Sequence, residues 1–210
     1  MTGRRGQILG GEARARIAEA VRLAEAGTSG EIVVMVSARA GLYRSVALLA
    51  ALITSLVLPW PLIWFTDLSA AAIALAQALV VLGVMAATLV EAVRLALVPR
   101  RLRRMRARDA ARLAFWSRGL SRTQRRTGIL IYLALAERHA EIVADDGILS
   151  RIGAEHWNAT LADLLAALHR EDIEAGLIRA VEQVGVILAP DFPPDPNAVD
   201  ELPNRVIVTD

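Results

Sequence analysis

The chain is 210 residues long and 55% hydrophobic, has no cysteine, and takes every basic residue as arginine rather than lysine. The missing cysteines exclude disulfides, thiolate nucleophiles and cysteine-ligated metals. A net charge of +2 conceals a separation along the chain: residues 1–44 carry +3, residues 45–93 carry −2, residues 94–126 carry +11 and residues 127–210 carry −10.

The first 40 residues lack the apolar core and small-residue cleavage site of a signal peptide, so the amino terminus is expected to stay on the side where it is made. Gly11–Ala26 predicts a helix, with Ile17, Val21 and Ala24 on one stripe and Arg and Glu on the other. Gly27-Thr28-Ser29-Gly30 ends it and turns the chain. Glu31–Ala38 (EIVVMVSA) is a nearly continuous β-branched run, the pattern of a strand covered on both faces.

Between Ser45 and Val90 the only charge is Asp67. Ser45–Phe65 and Leu68–Val90 are each long enough to cross a bilayer, for which about 20 apolar helical residues suffice. Both are apolar all round, unlike an amphipathic surface helix. Pro59 and Pro61 are expected to break the helix near Asp67, with Trp60 and Trp64 at headgroup level. Arg39 and Arg44 precede the hairpin and an arginine cluster follows it, while its tip has none. The positive-inside rule then predicts a multi-pass protein of the inner (cytoplasmic) membrane with both termini cytoplasmic. The spans contain no paired ionisable residues, so an anchor is the reading, not a transport path.

Arg94–Arg118 predicts a helix broken or bent near Pro99. Its Arg100, Arg101, Arg103, Arg104, Arg106 and Arg108 are read as contacts to anionic lipid headgroups. Nucleic acid is the weaker reading, despite Phe115 and Trp116. Ser121–Arg126 is a polar turn, Gly128–Leu135 and Ala140–Ala144 are buried strands, and Asp145-Asp146-Gly147 closes the last of them. Trp157–His169 and Ile173–Leu188 are amphipathic helices. Ala189–Asp210 is an extended tail anchored by Val206-Ile207-Val208.

Neither flank of the hairpin can bury a core alone, so the chain predicts one discontinuous α/β domain around a membrane anchor. Its parts are 1–44, the hairpin 45–92, a basic juxtamembrane helix and linker 93–126, and 127–210. These flanks resemble the TPM domain, a family of lumenal, photosystem-repair and receptor-modulator proteins. The resemblance runs through Ala24-Glu25, Thr28 to Val34, Thr127 to Ile131, Ala136-Glu137-Arg138, Glu141 to Ile148, Trp157, Gly176-Leu177, Ala180, Gly185, Leu188, Phe192-Pro193, Asn197 and Glu201-Leu202-Pro203. It implies an α/β sandwich, here interrupted by a two-helix transmembrane hairpin. It also implies one of several roles, since family members are described as acid phosphatases, calcium-binding domains or accessory factors.

The candidate chemistry is acidic. Asp145 and Asp146 at a strand end, with Glu31 or Glu141 nearby, have the hard oxygen donors that calcium or magnesium takes. A polar turn explains the same Asp-Asp-Gly conformationally. Thr28-Ser29-Gly30-Glu31 lacks a nucleophile elbow or phosphate loop and reads as a turn into a strand. His139, His156 and His169 lack metal-ligand spacing. The expectation is a non-enzymatic binding or accessory module with an unidentified protein partner. A divalent-cation-dependent, phosphatase-like hydrolase using Asp145, Asp146 and Glu31 is the alternative.

Overall fold

The computed structural model describes residues 9–123, 125–195 and 206–209. Asn197, Glu201, Leu202 and Pro203 of the resemblance lie outside them. The chain divides into two compact units: Gly41–Arg103, and the residues up to Ala40 together with those from Arg104 onward.

The second of these is built on a four-stranded sheet. β1 (Glu31–Ser37), β2 (Gly128–Ala134), β3 (His139–Ala144) and β4 (Ile207–Thr209) lie in the order β3-β2-β1-β4. β1 pairs in parallel with both β2 and β4, while β3 runs antiparallel to β2. The apolar runs of β1 and β2 have no polar alternation because both their faces are covered. Ile32, Val34, Val36, Ile129, Ile131 and Leu133 enter one core, whereas Val33, Met35, Leu130, Tyr132 and Ala134 enter another.

The larger core lies under α1 (Gly11–Glu25), α8 (Asn158–His169) and α9 (Ile173–Leu188). α8 and α9 approach closely because Gly176 has no side chain; a Cβ there would lie 2.5 Å from the Ala167 Cβ. The other face is covered by α6 (Arg100–Ser117), whose Ala107, Ala111, Ala114 and Phe115 recur at helical spacing and are buried. The basic stretch is therefore a layer of the α/β sandwich as well as a connection. A short α7 (Asp146–Leu149) follows β3.

The Gly41–Arg103 unit contains α2 (Arg44–Val57), α3 (Pro59–Phe65), α4 (Ala70–Ala87) and α5 (Glu91–Ala96). The prolines interrupt the first long helix only locally, α2 ending at Val57 and α3 starting at Pro59. Leu58 keeps right-handed helical angles and its amide reaches the Thr54 carbonyl at 3.0 Å. Pro59 opens the next helical segment, where a missing N–H is tolerated. The turn comes later, where Thr66 is extended and Ser69 caps α4 by accepting the Ala72 amide at 3.3 Å. Ser45–Phe65 and Ala70–Ala87 have the length and composition to cross a membrane, and only 6% and 0% of their apolar windows are buried. The second is shorter than the expected Leu68–Val90, because Val90 is extended.

The tail is the expected apolar anchor, with Val206 and Val208 packed on the larger core. In addition, Ile207–Thr209 is a strand completing the sheet edge, with Met35 opposite Ile207 and Ser37 opposite Thr209.

Candidate functional site

The antiparallel direction of β3 decides where its acidic end lies. In a parallel sheet a strand's carboxyl end is the usual ligand edge. Here the end of β3 lies beside the amino ends of β1 and β2 instead: the Asp145 amide donates to the Gly128 carbonyl at 2.9 Å. Glu31 opens β1 opposite Gly128, so Glu31 and Asp145 sit at the same sheet end with β2 between them. Two strand spacings amount to about 10 Å between their backbones.

Asp145 is buried and caps α7, its Oδ1 accepting the Asp146 amide at 2.8 Å. Its Oδ2 is buried without a hydrogen-bond partner among the described residues. Asp146 faces solvent, 3.8 Å from Arg126. Asp-Asp-Gly is thus a capped helix start rather than a simple turn. Gly147 belongs there for a packing reason, since a Cβ would stand 2.4 Å from the Arg126 carbonyl oxygen and 2.9 Å from that of Arg125. Arg126 adopts a left-handed backbone (φ 53°), uncommon for a residue with a side chain. Among the described residues no three His, Asp or Glu side chains gather closely enough to hold a metal ion. Calcium takes about six to eight oxygen donors, more than this cluster gathers.

Next to it is a cleft of about 580 Å³ lined by Ser29, Arg125, Thr127, Arg151, Phe192 and Asp195. Its walls are tied internally. Thr28 donates to the Phe192 carbonyl at 2.7 Å, Thr127 to the Ser29 carbonyl at 3.0 Å, and Arg151 to the Asp191 carbonyl at 2.8 Å. Arg125 pairs with Asp195, and the Arg151 guanidinium lies 5.2 Å from the centre of the Phe192 ring. Thr28-Ser29-Gly30 thus joins the strand start to the end of α9, as its reading as a turn anticipates.

On the α6 side of the sheet lies a polar cluster that sequence reasoning missed. The His139 ring nitrogen is 2.9 Å from the Glu141 carboxylate, which Arg108 approaches at 3.4 Å. Burial pushes the Glu141 carboxyl up, but the His139 hydrogen bond and the Arg108 charge outweigh it and hold the group below its ordinary value. Alternation along β3 puts residues 139 and 141 on one face, the only sequence signal for this pair. His156 and His169 contact the local carbonyls of Gly153 and Leu165, and His156 also lies 3.5 Å from the Glu155 carboxylate.

Arg100, Arg101, Arg104, Arg106 and Arg108 are exposed on α6, whereas Arg103 is half-buried. Arg112, omitted from the sequence-derived set, is exposed as well.

The family model of the TPM domain matches residues 91–187, from α5 through nearly all of α9. Among solved structures, the NMR structure of BA42 protein from the psychrophilic bacteria Bizionia argentinensis sp. nov. has the same fold. It aligns with a TM-score of 0.61 at 20% identity, covering 97% of each chain. No curated protein matches this sequence. The matched segment follows the apolar helices, whereas β1 comes from before them.

Proposed function

We propose that this chain is a TPM domain anchored in the inner membrane, serving there as a non-enzymatic binding or accessory module for a protein partner. The observation that carries the reading is the pair of helices Ser45–Phe65 and Ala70–Ala87, whose apolar windows are almost wholly exposed. Water solvates such a surface poorly and hydrocarbon solvates it well. Arginines flank the pair and are absent from its tip, which supports cytoplasmic termini. The internal use of Asp145 as a cap and Asp146 beside Arg126 favours binding over catalysis.

One observation favours the alternative of a divalent-cation-dependent, phosphatase-like hydrolase: the orphaned Asp145 Oδ2 is an oxygen that a cation would satisfy. The experiment is alkaline extraction of membranes, with reporters fused to either terminus, followed by a phosphomonoester assay of the detergent-purified chain with and without calcium or magnesium. Retention in the membrane, cytoplasmic reporters and no turnover support the module. Extraction by alkali, or turnover lost in a folded Asp145→Ala variant, overturns it.

A further inference from the structure

We infer that the outward face of α6 is a membrane-docking surface that lays the TPM domain against an anionic bilayer. Met105, Leu113 and Trp116 enter the headgroup layer, and Arg106 and Arg112 contact its charges. The inference rests on the anchored reading above and deepens it by naming the surface and the lipid chemistry it fits.

α6 has already spent its core-facing stripe. Ala107, Ala111, Ala114 and Phe115 are buried on the sheet, so residues 105, 109, 112, 113 and 116 point away from it. A helix facing water would be polar there. Instead Met105 is 53% exposed, Leu113 70% and Trp116 65%. They stand among the exposed Arg106 and Arg112, with Asp109 the acidic group on that face. Large apolar side chains set between arginines are the pattern of a helix lying in a membrane interface. Tryptophan is at home at that depth, with its ring in the headgroup region and its N–H in reach of water. Trp116 is also held in place: its ring meets that of the buried Phe115 edge to face, with centroids 6.0 Å apart and planes at 87°.

The occupant follows from charge and tether. An anionic leaflet complements arginines, and the exposed apolar side chains favour a layer with hydrocarbon beneath it over a polyanion such as RNA. α6 follows the apolar α4 after only the short α5, so an inserted hairpin keeps this face at high effective concentration near a bilayer.

The absence of cysteine makes the test clean. Single cysteines are placed in the full chain at Leu113, at Val186 on the opposite side of the sheet, and at Leu79 in α4. Each is labelled with an environment-sensitive fluorophore in nanodiscs of phosphatidylcholine, with or without phosphatidylserine, and quenched by spin-labelled lipid. The Leu113 label is expected to be quenched when phosphatidylserine is present, the Val186 label in neither disc, and the Leu79 label in both. Adding Arg112→Gln is expected to lower the docked fraction about fivefold where docking is unsaturated. A Leu113 label no more quenched than Val186, with Leu79 still quenched, overturns the docking surface and leaves the anchor standing. An unquenched Leu79 label overturns the anchor and this inference with it.

Discussion

The Gln77 carboxamide on α4 donates to the Ser55 hydroxyl on α2 at 2.7 Å and to the Ser55 carbonyl at 2.9 Å. It is the polar bridge of an otherwise apolar helix pair. In hydrocarbon such a bond is worth about 0.6 kcal/mol on average and up to about 1.7. Gln77→Leu is therefore expected to weaken the hairpin by about 1 kcal/mol. Ser55→Ala should cost less, because the backbone carbonyl remains as an acceptor. Steric trapping of the full chain in bicelles measures both. Equal stability of Gln77→Leu and the parent would show that the bridge contributes nothing.

A second expectation concerns the acidic helix start. Gly147→Ala places a methyl group against two backbone carbonyls that cannot swing aside as a flexible side chain would. Overpacking of this kind costs about 1–3 kcal/mol. For a chain of this size each kcal/mol lowers Tm by about 2–4 °C. Gly11→Ala is the control, since nothing lies within 4 Å of a Cβ there. Thermal unfolding in detergent compares the two, and an unchanged Tm for Gly147→Ala would mean the 125–126 loop yields freely.

The strands that enter the core were legible because burial on both faces leaves its mark in composition. EIVVMVS and GILIYLA lack polar alternation, and both are strands with starts at the expected Glu31 and Gly128. Direction was not legible: hydrophobic pattern is the same read either way along a strand, so the antiparallel β3 and the resulting placement of Asp145 needed coordinates. β4 was hidden by its length, since three residues carry no period. Arg108 shows how a side chain can be misjudged from sequence. Its place in an arginine run suggested lipid, whereas its guanidinium also reaches across to Glu141 on β3.

That contact predicts a response to acid. Glu141 has its folded-state pKa depressed, so its stabilising contribution is present above the unfolded value and is lost as pH falls through the folded one. The window lies below about pH 4.3, the ordinary glutamate value. The exposed Arg108 is screened by solvent and contributes little of this; the His139 bond contributes more. Glu141→Gln is expected to cost up to about 1 kcal/mol at pH 7 and to flatten the loss of Tm between pH 5 and pH 3. Parallel acid melting curves for variant and parent would count against the cluster.

The final expectation concerns the sheet edge. β4 pairs with β1 and the Ala38 amide donates to the Thr209 carbonyl at 2.8 Å. Removing residues 207–210 leaves the edge of β1 unpaired, and an exposed edge strand invites pairing between molecules. A lost backbone bond is worth about 1 kcal/mol, so amide exchange at Ala38 should quicken by about five- to tenfold. The Asp145 amide, bonded to Gly128 on the far side of the sheet, should keep its protection. Val208→Lys gives a milder version, with a charge set against the partly buried apolar packing of Val206 and Val208 on the larger core. Hydrogen exchange by mass spectrometry on the detergent-solubilised chain reads both variants. Ala38 exchange as slow in the truncated chain as in the parent would mean that β1 holds its edge without β4.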